Sequence, residues 1–256
     1  MDDIIIQKTE EPKLKKPILI EGLPGVGNVG KLAAEHLIEQ LEAKKFADIY
    51  SRYFPPQVLV NDDGTIKLVN NELFYYKSKD KKTPDLIFLT GDYQGLTPEG
   101  QYKLSSAILD LAESYKVKQI FTLGGYGLGR MVEVPRVLGA AANEKLVEEM
   151  KENGVIFQKG EPGSGIVGAS GLLLGLGKIR NIDGVCLMGE TSGYFADPKS
   201  AQEVLKVLIK ILNVEVDFSD LETKARQIDK LTSQFREIEQ TPVPGDQKPE
   251  DLRYIG

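Results

Sequence analysis

The chain has no tryptophan, a single cysteine, Cys186, and a single histidine, His36. A structural zinc site takes four Cys or His ligands, so neither such a site nor a disulfide framework can be built here. Cys186 stands in the apolar run 184–189 and reads as a small core residue. Ser-His-Asp and Cys-His mechanisms would both have to pass through His36. That residue lies beside Leu37 and Ile38 in an amphipathic stretch, the setting of a structural histidine. A basic block is also lacking, and the net charge is −6. The positive footprint of a nucleic-acid binder is therefore missing, and mutual repulsion suits a soluble protein. The most apolar stretch, 166–176, is too short and too glycine-rich to span a bilayer. Residues 1–17, MDDIIIQKTEEPKLKKP, lack the apolar centre of a secretory leader. These absences predict a cytoplasmic protein with no membrane partner.

What remains is globular. With 256 residues, 41% hydrophobic and 27% charged, the chain can form one large α/β domain or two small ones. Residues 18–21 form a short apolar strand that runs through GLPGVGNVGK into a helix over about 29–42, with Leu32, Ala33, Leu37, Ile38 and Leu41 on one stripe. Residues 46–53 read as a strand stopped by Pro55-Pro56. Strands 58–60 and 66–69 flank the turn Asp62-Asp63-Gly64, and another follows at 73–77. The pattern then alternates: strand 86–90, a helix opened by Thr97-Pro98, strand 119–123, a helix over 143–152 ended by Asn153-Gly154, and a short strand at 155–157. A glycine-punctuated helix at 166–178, a strand at 185–188 and a helix from Asp197-Pro198 to about 212 complete it. The expected fold class is α/β: a three-layer α/β/α domain with a mixed, mainly parallel sheet. Residues 1–17 read as an N-terminal extension and 18–218 as the core domain. Residues 219–240 read as an amphipathic helix with a Ser219…Glu222 capping box, and the proline-rich 241–256 as a flexible tail. Leu221, Ile228, Leu231, Phe235 and Ile238 repeat on one stripe of that helix, which must bury itself on the domain or on another subunit.

Two patterns could carry chemistry. Gly25, Gly27 and Gly30 satisfy G-x-G-x-x-G between a strand and a helix, with Asp48 at the distance of a ribose-binding acid. Lys31 extends the pattern toward a phosphate loop. Leu32, however, stands where a magnesium-binding Ser or Thr belongs, and no second magnesium acid stands at an obvious place; Asp92, after strand 86–90, is the best candidate. The same glycines equally permit a tight turn and close helix packing. The second pattern is a polar cluster at the strand ends: Asp92, Tyr126, Arg130 and Glu190, beside the glycine loop. A nucleoside-type site could use Glu190 for a ribose and Arg130 for a phosphate. A structural Glu190–Arg130 pair explains the same residues, and no nucleophile elbow is present.

Four separated segments together resemble the proteasome assembly chaperone family, and its archaeal members most. They are EGLPGVGNVGKLAAEHL, LTGDYQGLTPEGQY, QIFTLGGYGLGR and GIVGASGLLLGLGKIRNIDGVCLMGETSGYFADPKSA. The resemblance implies a fold like that of purine nucleoside phosphorylases and a homo-oligomeric, non-enzymatic chaperone or scaffold without a cofactor. It also implies docking on proteasome α subunits by a C-terminal hydrophobic–Tyr–any tripeptide. This chain ends Leu252-Arg253-Tyr254-Ile255-Gly256. Tyr254 is third from the end and Arg253 precedes it, so a scaffold for another protein stays open beside a proteasome partner. A nucleotide-binding enzyme is the third reading.

Overall fold

A computed structural model describes residues 2–80, 82–157 and 165–240, without the side chains of 229 and 231–240. Among the described residues, ten strands and six α-helices follow one another, with one 3-10 turn at Val26–Asn28. In the first half these are β1 (Ile4–Lys8), β2 (Ile18–Glu21), α1 (Val29–Gln40), β3 (Lys44–Ser51), β4 (Val58–Val60), β5 (Ile66–Leu68), β6 (Asn71–Tyr76) and β7 (Leu86–Gly91). The second half holds α2 (Pro98–Ser114), β8 (Gln119–Gly127), β9 (Val137–Ala141), α3 (Glu144–Glu152), α4 (Ala169–Ile179), β10 (Asp183–Thr191), α5 (Pro198–Leu212) and α6 (Ser219–Gln240).

Eight strands make one mixed sheet in the order β1-β3-β6-β7-β2-β8-β10-β9. The central four, β7-β2-β8-β10, are parallel; β6, β3, β1 and β9 extend the sheet by antiparallel pairing. β4 and β5 form a separate hairpin.

Alternation along the buried strands sorts side chains between two cores. Ile20, Phe88, Phe121 and Leu123 face the layer of α1, α3, α5 and the start of α6. Leu19, Ile87, Leu89 and Ile120 face the layer of α2 and α4. The three-layer α/β/α arrangement is thus present, with every parallel strand covered on both faces.

The structure departs from the sequence reading in several places. Ile4–Lys8 pairs with Lys44–Ser51 across the full length of β1, so part of 1–17 is an edge strand of the sheet. β9 went unforeseen; VLGAA lacks β-branched alternation, yet it pairs antiparallel with β10. Residues 155–157, expected as a strand, supply a single bridge among the described residues, Ile156 to Leu138. α4 begins at Ala169, because Gly168 turns the chain with φ of +89°. Its close fit to the sheet comes from a strand glycine: a Cβ on Gly184 would lie 2.4 Å from Leu174 Cδ2. The start of α6 is held by Asp217, whose Oδ1 accepts from Ser219 N and Oγ at 3.0 and 2.7 Å. That replaces the expected Ser219…Glu222 box, for which no bond is formed among the described residues.

His36 has the structural role its setting suggests. Buried on α1, its Nε2 donates to the Asp217 carbonyl at 2.7 Å, and its ring stacks on Phe218 at 6.1 Å. Leu221 is buried in the first core, so the first turn of α6 packs on its own domain.

Candidate functional site

The loops after β2, β7, β8 and β10 meet at one edge of the sheet, where open α/β folds place their sites. Hydrogen bonds lace them together. Gln94 Nε2 donates to the Pro24 carbonyl at 2.8 Å, and Gln94 Oε1 accepts from Ala169 N at 2.9 Å. Asp197 N donates to the Gly27 carbonyl at 2.8 Å, and Thr191 Oγ1 donates to Asp197 Oδ2 at 2.7 Å. Leu128 N donates to the Thr191 carbonyl at 2.8 Å. These ties, most of them to backbone atoms, join the four loops to one another.

Gly22, Gly27 and Gly30 of the 22–30 loop answer to packing, whereas a Cβ on Gly25 would meet only the Leu23 oxygen, at 4.0 Å. A Cβ on Gly30 would lie 2.0 Å from the Leu123 carbonyl oxygen, and one on Gly22 2.3 Å from the Gly30 oxygen. Gly27 adopts φ of +60°, a left-handed conformation that favours glycine, within a single 3-10 turn at Val26–Asn28. Lys31, the residue a phosphate loop would aim at its anion, donates to the Gly91 carbonyl at 2.8 Å. Asp48 is on β3, three strands from β2 in the sheet order, roughly 14 Å at the usual strand spacing. It pairs there with Lys45 at 2.6 Å. The geometry of a dinucleotide or phosphate loop is not assembled.

The polar cluster is split in the same way. Asp92 accepts from Asn70 N at 3.1 Å and pairs with Lys67 at 3.3 Å, on the β6–β7 side. Glu190 is three strands away, at the end of β10, opposite the exposed Tyr126. Its partner is Arg136, at the entrance to β9, and not the expected Arg130. Arg136 Nε donates to Glu190 Oε2 at 2.8 Å, Nη2 donates to Oε1, and the Arg136 amide donates to Oε2 at 3.2 Å. These bonds hold the Glu190 carboxyl below the usual carboxylate range, with exposed Arg130 adding only its field.

Arg136→Ala strands a buried carboxylate. At neutral pH it costs ~2 kcal/mol, less than a fully buried pair because Arg136 is half in solvent. A depressed acid contributes stability above its unfolded pKa and loses it as pH falls through the folded one. The cost therefore shrinks in acid, which urea denaturation at pH 7 and pH 3 will show; equal costs at both would mean the pair adds nothing.

One group was missed in the sequence. Glu21, the last residue of β2, is fully buried on the face covered by α4. Oε1 accepts from Leu23 N at 3.0 Å and Oε2 from Ser170 Oγ at 2.9 Å. Burial pushes its pKa up to about 7, against the smaller opposing pull of the Ser170 hydroxyl and the Leu23 amide. Beside it in register lie Thr122 and then Cys186, whose thiol burial pushes up to about 12. The available signal was one acid closing the apolar strand ILIE just before Gly22. Among the described residues no group of three or more His, Cys, Asp or Glu could hold a metal ion, and no helix is long and apolar enough to cross a membrane.

The profile of the PAC2 family matches residues 19–236. The chain belongs to the PAC2 family. Two relatives of known sequence are uncharacterized proteins of Methanocaldococcus jannaschii. One is 40% identical over 261 residues, covering 100% of this chain and 99% of the relative; the other is 29% identical over 227 residues, covering 88% and 87%. Among solved structures, Pyrococcus furiosus PbaB, described as an archaeal proteasome activator, matches with a TM-score of 0.88 and 40% identity over 92% of this chain and 100% of its own. P. furiosus PbaA, described as an archaeal homolog of proteasome-assembly chaperone, matches with a TM-score of 0.76 and 26% identity over 93% of each. The PAC2 match takes in the whole sheet from β2 onward and part of α6. Of the expected contact residues on α6, Leu221 is buried and Ile228 half-buried. The side chains of Leu231, Phe235 and Ile238 lie outside the description, and so do Leu252, Tyr254, Ile255 and Gly256.

Proposed function

We propose that this PAC2 protein is a non-enzymatic, homo-oligomeric binding protein that acts on the proteasome, docking on its α subunits through the C-terminal tail. The whole-length likeness to P. furiosus PbaB carries this reading. The side-chain chemistry agrees with it. Glu190, Asp92 and Lys31 are each engaged in holding the strand ends together. In this reading Leu252, Tyr254, Ile255 and Gly256 form the docking segment, and the stripe Ile228, Leu231, Phe235 and Ile238 on α6 makes subunit or partner contacts. The protein works in the cytoplasm without a cofactor.

The test is capture from native lysate with the full-length chain and with residues 241–256 deleted. Proteasome α subunits are expected on the full-length protein, with at least tenfold less on the deletion, while the melting temperatures of the two agree. Equal capture by both would remove the tail from the reading. A second reading rests on the displaced Tyr254: a scaffold for a different client. It predicts one stoichiometric protein in the capture and no α subunits.

A further inference from the structure

The hairpin of β4 and β5 turns its apolar face outward. Its register sets Val58 opposite Leu68 and Val60 opposite Ile66. Alternation along each strand puts these four side chains on one face, and Leu59 and Lys67 on the other. All four are exposed, Val60 at 72% and Ile66 at 70%. The inner face needs little apolar material: Leu59 packs on the core under α2 and α4, and Lys67 pairs with Asp92 at 3.3 Å and Glu72 at 3.6 Å. A one-residue slip of either strand would turn its apolar pair inward. The turn prevents it. Asn61 N donates to the Thr65 carbonyl and Gly64 N to the Asn61 carbonyl, both at 2.9 Å. Asp63 Oδ1 accepts from Thr65 N and Oγ1 at 3.0 and 2.7 Å. The outward apolar face is thus fixed by local hydrogen bonds. Grouped apolar side chains left in water mark interaction sites.

We propose that this ribbon face docks an amphipathic helix of a partner protein, one whose apolar stripe is flanked by Lys or Arg. The proposal goes beyond the tail docking above and does not depend on it. Shape, charge and size select the occupant. Neighbouring side chains on the face stand ~7 Å apart along a strand and ~5 Å apart across the pair, the grain of a helical i, i+3, i+4, i+7 stripe. An added strand would use the ribbon's edges instead, and strands of three residues offer it too few outward backbone groups. At the tip, Asp62 and Asp63 are exposed, and neither enters an ion pair among the described residues. Lys67 lies behind the ribbon, held by two carboxylates. The field beside the apolar face is therefore negative, and complementarity asks for a basic rim. The same two acids oppose an anionic membrane. Four side chains cannot supply the ~800 Å² per partner of a standard protein–protein interface, so the face fits a single helical segment.

Fluorescence anisotropy of the full chain with a dye-labelled synthetic helix tests this. The probe carries Leu at i, i+3, i+4 and i+7 and Lys elsewhere; its control has Glu for every Lys. The Lys probe is expected to bind and the Glu probe at least tenfold more weakly. Net charge alone favours the Lys probe, so the hairpin variants decide. Val60→Ser with Ile66→Thr, both pointing out of the fold, is expected to weaken the Lys probe about tenfold or more, with unchanged circular dichroism and unchanged mass by sedimentation equilibrium. Asp62→Asn with Asp63→Asn keeps the acceptors of the turn and is expected to weaken it about threefold and flatten its salt dependence. Deletion of 241–256 leaves probe binding within twofold. An apolar variant that binds like the wild type, or loss of binding with the tail, would overturn the proposal. So would a fall in mass in the apolar variant, which would mean that the face lies between copies. Flotation with phosphatidylserine–phosphatidylcholine vesicles that is lost in the apolar variant would give the face to a membrane and overturn it too. Capture of α subunits from lysate succeeds or fails separately, because it reads the tail.

Discussion

Gly30→Ala lowers the unfolding free energy by ~3 kcal/mol or more. The new methyl group would stand 2.0 Å from the Leu123 carbonyl oxygen and 2.6 Å from its carbon. Both sides of that contact are backbone, α1 against β8, so no side chain can swing away. Relief requires α1 to lift off the sheet, which opens the core around Val29, Ala33 and Leu37. For a chain of this length the loss corresponds to a fall in melting temperature of roughly 6–12 °C. Gly25→Ala is the internal control. Its backbone is extended, and an added Cβ meets only the Leu23 oxygen, at 4.0 Å. That change is expected to stay within ~0.5 kcal/mol. A loop serving a bound phosphate would feel both substitutions in its ligand affinity. A loop serving helix packing separates them in urea melts, and equal midpoints for the two variants would contradict the packing account.

Glu21→Gln is expected to change how stability depends on pH. In the unfolded chain Glu21 titrates at the ordinary 4.5; in the fold it titrates at about 7. Between those values the native state holds a proton that the unfolded state has released. The contribution is fully present below pH 4.5, falls as pH rises, and is gone above 7. The span corresponds to roughly 3 kcal/mol of wild-type stability lost across the window. Glutamine is neutral throughout and can still accept from Leu23 N. The variant should therefore match the wild type near pH 4 and exceed it near pH 8, by urea unfolding at each pH. Parallel profiles would show that Glu21 stays ionised or that water reaches it. The groups that face it, Ser170 on α4 and Thr122 and Cys186 on the neighbouring strands, add no competing charge in this window.

Helices with both a cap and a stripe were legible in the sequence. Thr97-Pro98 with Leu104, Ile108 and Leu111 fixed α2, and Thr97 Oγ1 accepts from Gly100 N at 3.1 Å. Asp197-Pro198 marked α5 in the same way. The parallel strands were legible as short apolar runs between turns. Pairings that depend on register were not. Arg136 and Arg130 flank the same loop, and only the alignment of β9 on β10 brings Arg136 to Glu190. β1 was hidden because IIIQK precedes a lysine- and proline-rich stretch, and its partner β3 lies beyond an intervening strand and helix. Glu21 was hidden for a different reason: one acid has no periodicity, and its shifted pKa arises wholly from what folds over it.

The strand order also sets a schedule for synthesis. β2 lies at the centre of the sheet, and Ile18 pairs with Leu86 on one side and Gln119 on the other. When Ile18, Leu19 and Ile20 leave the ribosome, neither neighbour has been made. The antiparallel set β1, β3 and β6 can assemble first from nearby segments, while the apolar heart of the sheet waits for distant ones. Nascent chains should thus pass through a stage with that centre uncovered, the stage at which aggregation competes with folding. The centre of the sheet is covered only once β8 and β10 have emerged.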